Sequence, residues 1–179
     1  MEHRGPRVHL RPVRPDDLES IIRWTNDPEL RELMEGEYPE EPGEGRRWYQ
    51  RTLRDRRSRQ FIIETRDGLA IGDIALGEIS WRAREAELRI RIGEKAYWNR
   101  GYGTEAVQLI VRHAFEDLGL ERVYLRVFTF NLRAIRCYLK SGFRPEGRLV
   151  RKGSDGAPKE ILLMTVERDR LARCLARPS

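Results

Sequence analysis

The chain has little cysteine and little histidine: Cys137 and Cys174 are its 2 cysteines, and His3, His9 and His113 its 3 histidines, among 179 residues. Two thiols cannot build the disulfide framework of a small secreted domain, and the histidines show no metal-ligand spacing, so a reducing compartment and no metal are expected. No apolar run approaches the roughly 20 residues a membrane helix needs. The opening stretch "MEHRGPRVHLRPVRPDD" is interrupted by charge throughout, unlike a signal peptide. A soluble, cytoplasmic protein with no membrane partner is the expectation. Repeats and low-complexity linkers are absent too, and a hydrophobic content of 39% fits one well-cored domain over residues 1–179 better than two.

What the chain does have is charge. A net charge of +6 and a pI of about 9.7 suit either nucleic acid or a small polyanionic cofactor. Between positions 26 and 45 the acids Asp27, Glu29, Glu32, Glu35, Glu37, Glu40, Glu41 and Glu44 face only Arg31, and an arginine-rich stretch follows. The charge is therefore patchy and nearly all arginine, with no long basic tail. A composition that favours arginine accounts for it better than a nucleic-acid footprint does.

Periodicity orders the elements. "RVHLRPV" alternates as an opening strand; "PDDLESIIRWTND" begins with proline and acids and repeats its apolar residues at helical spacing; "PELRELM" and "GEGRRWYQRTLRDRR" extend the helical region around the loop "EGEYPEEPGEG". "RQFIIET", "LAIGDIALGEISW" and "EAELRIRI" read as an antiparallel meander. A helix over 101–117, the strand "ERVYLRVFTF", the helix "NLRAIRCYLKSG" and two closing strands follow. The strand-helix-strand unit over 87–130 should be a right-handed parallel crossover, which makes the chain α/β with a mixed sheet.

One turn raises a question of ligand. "GYGTEA" at 101–106 satisfies the dinucleotide pattern G-x-G-x-x-G/A, yet eight residues (93–100) separate it from a strand that alternates Arg with Ile, and the following strand ends "FTFN" without an acid. A dinucleotide unit is excluded, and the lack of a following lysine excludes a triphosphate loop. What remains is a run of backbone N–H groups over Arg100, Gly101, Tyr102, Gly103 and Thr104 at a helix start, where the dipole also favours an anion. On the next helix Asn131, Ala134 and Tyr138 share a face, because seven residues fall only about 20 degrees short of two turns.

Together "YWNRGYGTEA" and "NLRAIRCYLKSGF" resemble the Q/R-x-x-G-x-G/A turn and N-x-x-A-x-x-x-Y-x-x-x-G-F helix of the GNAT superfamily of acyl-CoA-dependent N-acetyltransferases, in its Rim-type and spermidine-acetyltransferase-like branch. The resemblance covers nearly the whole chain, most sharply 85–147. It implies a GNAT-like mixed sheet with a splayed parallel strand pair and flanking helices. It implies acetyl-CoA as co-substrate, with the pantetheine arm against Ile90, Arg91 and Ile92 and the pyrophosphate on the turn from Asn99 to Thr104. Asn131 would contact the arm, Ala134 leave room for it, and Tyr138 face the sulfur as catalytic acid. Trp98 stands where the family usually has Gln or Arg, so its side chain cannot serve a phosphate in the same way, although the backbone cradle does not depend on it.

The expected activity is acetyl transfer to a primary amine, on a small molecule or a protein N-terminus, by direct attack in a ternary complex, with a homodimer allowed for. Another acyl-CoA or acceptor, a CoA-binding regulatory domain without turnover, and a nucleic-acid binder are the alternatives. Glu85, Glu87, Asp73 and Glu78 are acid candidates for taking the amine's proton, each more ordinary as part of a solvated strand face. His113 reads as a half-exposed helix residue, and Cys137, about 100 degrees around the helix from Tyr138, as a packed thiol.

Overall fold

Alternating residues build one sheet, and helical residues cover its two faces. The computed structural model describes residues 2–34, 38–153 and 155–170. Its strands are β1 (His3–Arg4), β2 (Val8–Pro12), β3 (Arg59–Thr65), β4 (Ala70–Ser80), β5 (Glu85–Ile92), β6 (Arg122–Phe128), β7 (Arg144–Lys152) and β8 (Pro158–Glu167). The sheet order is β1-β2-β3-β4-β5-β6-β8-β7. The expected meander is β3-β4-β5, and β5 pairs with β6 in parallel.

Helices α1 (Leu18–Thr25), α2 (Pro28–Leu33) and α3 (Pro42–Arg54) cover one face, where Ile21, Trp24, Leu30 and Trp48 pack with Val13 and Ile62. Helix α4 (Tyr102–Arg112) covers the other, burying Ala106, Val107 and Ile110 among Leu10, Ile74, Leu88 and Val123. Helix α5 (Leu132–Lys140) adds Tyr138 to that second core. None of the described helices is long and apolar enough to cross a membrane.

The structure departs from the periodicity in three places. A two-residue strand, β1, precedes the expected first strand and pairs His3 with Leu10. Pro42, read only as loop, begins α3, where proline costs nothing because that N–H has no helical partner. The helix read over 101–117 has Gly101 as its N-cap, and past Arg112 it widens into a π-helix over His113–Asp117, with the Leu118 N–H donating to the His113 carbonyl at 3.1 Å. Glu35 and Glu37 of the acidic loop, and Cys174, lie outside the described residues.

One feature of the sheet positions the site. Strands β5 and β6 pair only at Glu85/Arg122, Ala86/Val123 and Glu87/Tyr124. Beyond that point β5 stays with β4 as far as Ile92/Gly72, while β6 stays with β8 as far as Phe128/Ile161. Each strand follows its outer neighbour, so the pair splays and leaves unpaired backbone along both inner edges.

Candidate active site

The splay opens into a cleft of about 610 Å³ bounded by β5, β6, the N-terminal end of α4, one side of α5, and Leu30 and Leu33 of α2 with Met34 after them. Ile90, Arg91, Ile92, Trp98, Asn99, Gly101, Gly103, Thr104, Asn131, Ala134 and Tyr138 all line it. Two expected contacts do not. The Arg100 guanidinium lies over the rings of Tyr97 and Tyr102, and Tyr102 packs beneath Arg7 at 4.9 Å, so only their backbone can serve the turn. Arg91 contributes backbone alone, because its side chain is buried on the α1–α3 face, paired to Asp73 at 2.7 Å and donating to Thr25 at 2.9 Å.

The turn before α4 is held in its shape by residues outside it. Asn99 (φ 58°) and Gly101 (φ 82°) are both left-handed, which asparagine tolerates and glycine adopts freely. Arg7 braces the turn from below, donating to the Arg100 carbonyl at 2.7 Å and to Glu105 at 3.0 Å. The other Glu105 oxygen accepts the backbone N–H groups of Arg7 and Val8 at 2.7 and 3.0 Å, tying the first turn of α4 to β2.

On α5, the Asn131 side chain caps the helix by accepting the Ala134 N–H at 3.3 Å. Tyr138, two turns further, is 7% exposed and packs against Phe143. Burial pushes its phenol well above the ordinary tyrosine value, with Cys137 adding to the rise and Arg133 opposing it. The group therefore stays protonated at neutral pH and keeps an O–H to donate. Cys137 packs against the second core as expected, and it also lines the cleft. Burial raises its thiol pKa, against a hydrogen bond with Thr104 and the charge of Lys140, which leaves it a poor nucleophile.

Arg133 escaped the sequence reading. Its guanidinium stacks 3.3 Å above the Trp98 ring, while the Trp98 Nε1–H donates to the Ile92 carbonyl at 2.8 Å, at the end of β5. Trp98 thus spends its donor on the strand and offers its face to Arg133. Stacking uses the guanidinium plane and not its edge N–H groups, and Arg133 lines the cleft, so a charged donor stands beside the turn where the family's Gln or Arg is missing. The signal lay in the sequence as N-x-R-A, but only the fold sets it against Trp98. Arg133→Ala is expected to raise KM for acetyl-CoA about 10-fold with kcat little changed, the loss of one charge-assisted hydrogen bond. Steady-state kinetics against acetyl-CoA check this, and an unchanged KM would remove Arg133 from the site.

Two of the four acids, Asp73 and Glu87, are not the solvated strand face expected of them. Asp73 is fully buried against Arg91, and Glu87 is 4% exposed at the apex of the splay, taken at 2.7 Å by Arg126 from β6 and at 3.2 Å by Arg89. Burial alone would raise Glu87, but the hydrogen bonds and charges of Arg126 and Arg89 outweigh it and hold the carboxyl below its usual range. Glu85 and Glu78 are more exposed and pair with Arg122 and Arg57. His113, expected half-exposed, is buried at 5% because the π-turn tucks it against β1. Much of the acidic stretch is also occupied: Asp27 caps α2 and binds Lys95, Glu29 binds Lys95, and Glu40 binds Arg31.

The comparisons with known proteins give the family of a chain with this fold. Residues 7–144 match the acetyltransferase (GNAT) domain. The spermidine N(1)-acetyltransferase of Escherichia coli K12 is 33% identical over 143 residues, 80% of this chain and 76% of that protein. The crystal structure of spermidine N-acetyltransferase from Vibrio cholerae, in complex with CoA and spermine, superposes with a TM-score of 0.86 at 25% identity, covering 94% of this chain and 99% of that one. A dodecameric structure of the Vibrio cholerae enzyme superposes with a TM-score of 0.81 at 25% identity, covering 93% and 97%. The chain belongs to the GNAT acetyltransferases, and it transfers an acetyl group from acetyl-CoA to an amine.

Proposed function

We propose that the chain acts as one catalytic domain over residues 1–179, in the cytoplasm, and acetylates a primary amine by direct attack within a ternary complex. The observation that carries this reading is Tyr138, a protonated, buried phenol on the cleft wall with no side-chain hydrogen bond occupying its hydroxyl among the described residues. A thioester acyl transfer needs its carbonyl polarised and its departing thiolate met by a proton. Backbone N–H groups of β5 freed by the splay serve the first need, and Tyr138 the second. The turn from Asn99 to Thr104 takes the pyrophosphate, with Arg133 beside it, while Asn131 and Ala134 flank the arm. Glu87, at the apex, receives the amine's proton directly or through water. Cys137 has no base beside it and a raised thiol pKa, which favours direct attack over an acyl-cysteine route.

A polyamine acceptor is supported by the relatives named for spermidine, and an assembly larger than the expected homodimer by the dodecameric neighbour. A second reading has its own observation. At the apex Arg89 and Arg126 both meet the carboxylate Glu87 and line the cleft, which places guanidinium groups where they suit an amine carrying a carboxylate. The test is thiol release from acetyl-CoA with spermidine set against amino acids and their uncharged amides. Turnover favouring spermidine upholds the polyamine reading, preference for the carboxylate-bearing amines upholds the second, and no turnover with any primary amine defeats both.

A further inference from the structure

The histidines that show no ligand spacing along the chain meet in space. Strand β1 carries His3 to the π-helical end of α4, where His113 and Asp117 sit. The two imidazole rings lie 4.2 Å apart between centroids, and Phe61 meets both edge-on at 5.6 and 5.7 Å. Asp117 Oδ2 is 2.8 Å from His113 Nδ1 and 3.9 Å from His3 Nδ1. One donor atom from each of the three residues lies within 4.8 Å of the others. A tetrahedral ion with bonds of about 2.0–2.2 Å holds its ligands about 3.3–3.6 Å apart, between the two measured separations.

A second observation is independent of that geometry. The Nε2 atoms of His3 and His113 are both buried without a hydrogen-bond partner. The buried imidazole of His113 and the half-buried one of His3 thus share one carboxylate through their Nδ1 atoms, and each keeps an unsatisfied Nε2 on the other side of its ring. The Asp117 side chain is 42% exposed, giving an ion a path from solvent and a place for water as a further ligand.

We propose that His3, His113 and Asp117 form a binding site for one divalent transition-metal ion of the zinc type. None of the three lines the cleft, so the ion fastens β1 to the end of α4 and takes no part in acetyl transfer.

The experiment is calorimetric titration of chelator-stripped protein with zinc chloride, followed by thermal unfolding with and without zinc. One equivalent is expected to bind with micromolar or tighter affinity and to raise Tm. His3→Gln and His113→Gln should each weaken binding at least about 10-fold, and Asp117→Asn should weaken it less. Cobalt in place of zinc should give visible bands of nitrogen and oxygen ligation without a thiolate charge-transfer band, which separates this site from the cysteines. Should His113→Gln fail to fold, His3→Gln on the short β1 carries the test. Binding only at millimolar zinc, binding that survives the His3 substitution, or a thiolate band would overturn the proposal.

Discussion

Tyr138→Phe is expected to lower kcat by about 10²–10⁴, the span for loss of a positioned acid, while KM for acetyl-CoA stays nearly unchanged. The substitution deletes one oxygen and leaves the ring against Phe143, so packing and the cleft walls are preserved. Because burial holds the phenol protonated well past the ordinary tyrosine range, the wild-type rate should show no falling limb from Tyr138 between pH 6 and 9. Paired measurements on Cys137→Ala sharpen the result. That thiol has a raised pKa and no base beside it, so most activity should remain. Full activity in Tyr138→Phe together with loss in Cys137→Ala would replace direct attack with a covalent route.

The second large effect separates the two glycines of the turn. Gly101 sits at φ 82°, where an L-residue costs roughly 1–2 kcal/mol, and a Cβ there would stand 2.8 Å from Arg7 Nη2. Arg7 cannot swing aside freely, since it is bonded to the Arg100 carbonyl and to Glu105. Gly101→Ala should therefore weaken acetyl-CoA binding about 10- to 100-fold in a folded protein. At Gly103 the backbone is helical, and a Cβ would meet Cys137 Sγ and Ile92 at 3.7 Å, ordinary contact. Gly103→Ala should cost far less affinity, in keeping with the family pattern, which admits alanine there. Calorimetry with acetyl-CoA, alongside circular dichroism to establish folding, decides it. Equal affinities for all three proteins would mean that the turn does not hold the phosphates.

Much of the site was legible because its signals are local. The turn is a run of consecutive residues, and Asn131, Ala134 and Tyr138 share a face by the arithmetic of one helix, so both survive without knowledge of the fold. The strand that splays was recognisable by its alternation and by the parallel crossover after it. Burial at the apex was not legible. Glu87 and Asp73 alternate with apolar residues just as solvated acids do, and only their partners, Arg126 on β6 and Arg91 on β5, turn them into buried pairs.

Hydrogen bonds, caps and periodicities act over a few residues, so the chain alone settled the order of its main elements, the parallel crossover, the glycine turn that opens α4 and the phenol's helical face. Side-chain pairing acts across space between residues far apart in the chain and leaves no periodic trace. Folding therefore decided that Arg133 rests on Trp98, that Arg7 braces the turn, that two arginines hold Glu87 at the apex, and that His3 reaches His113 and Asp117.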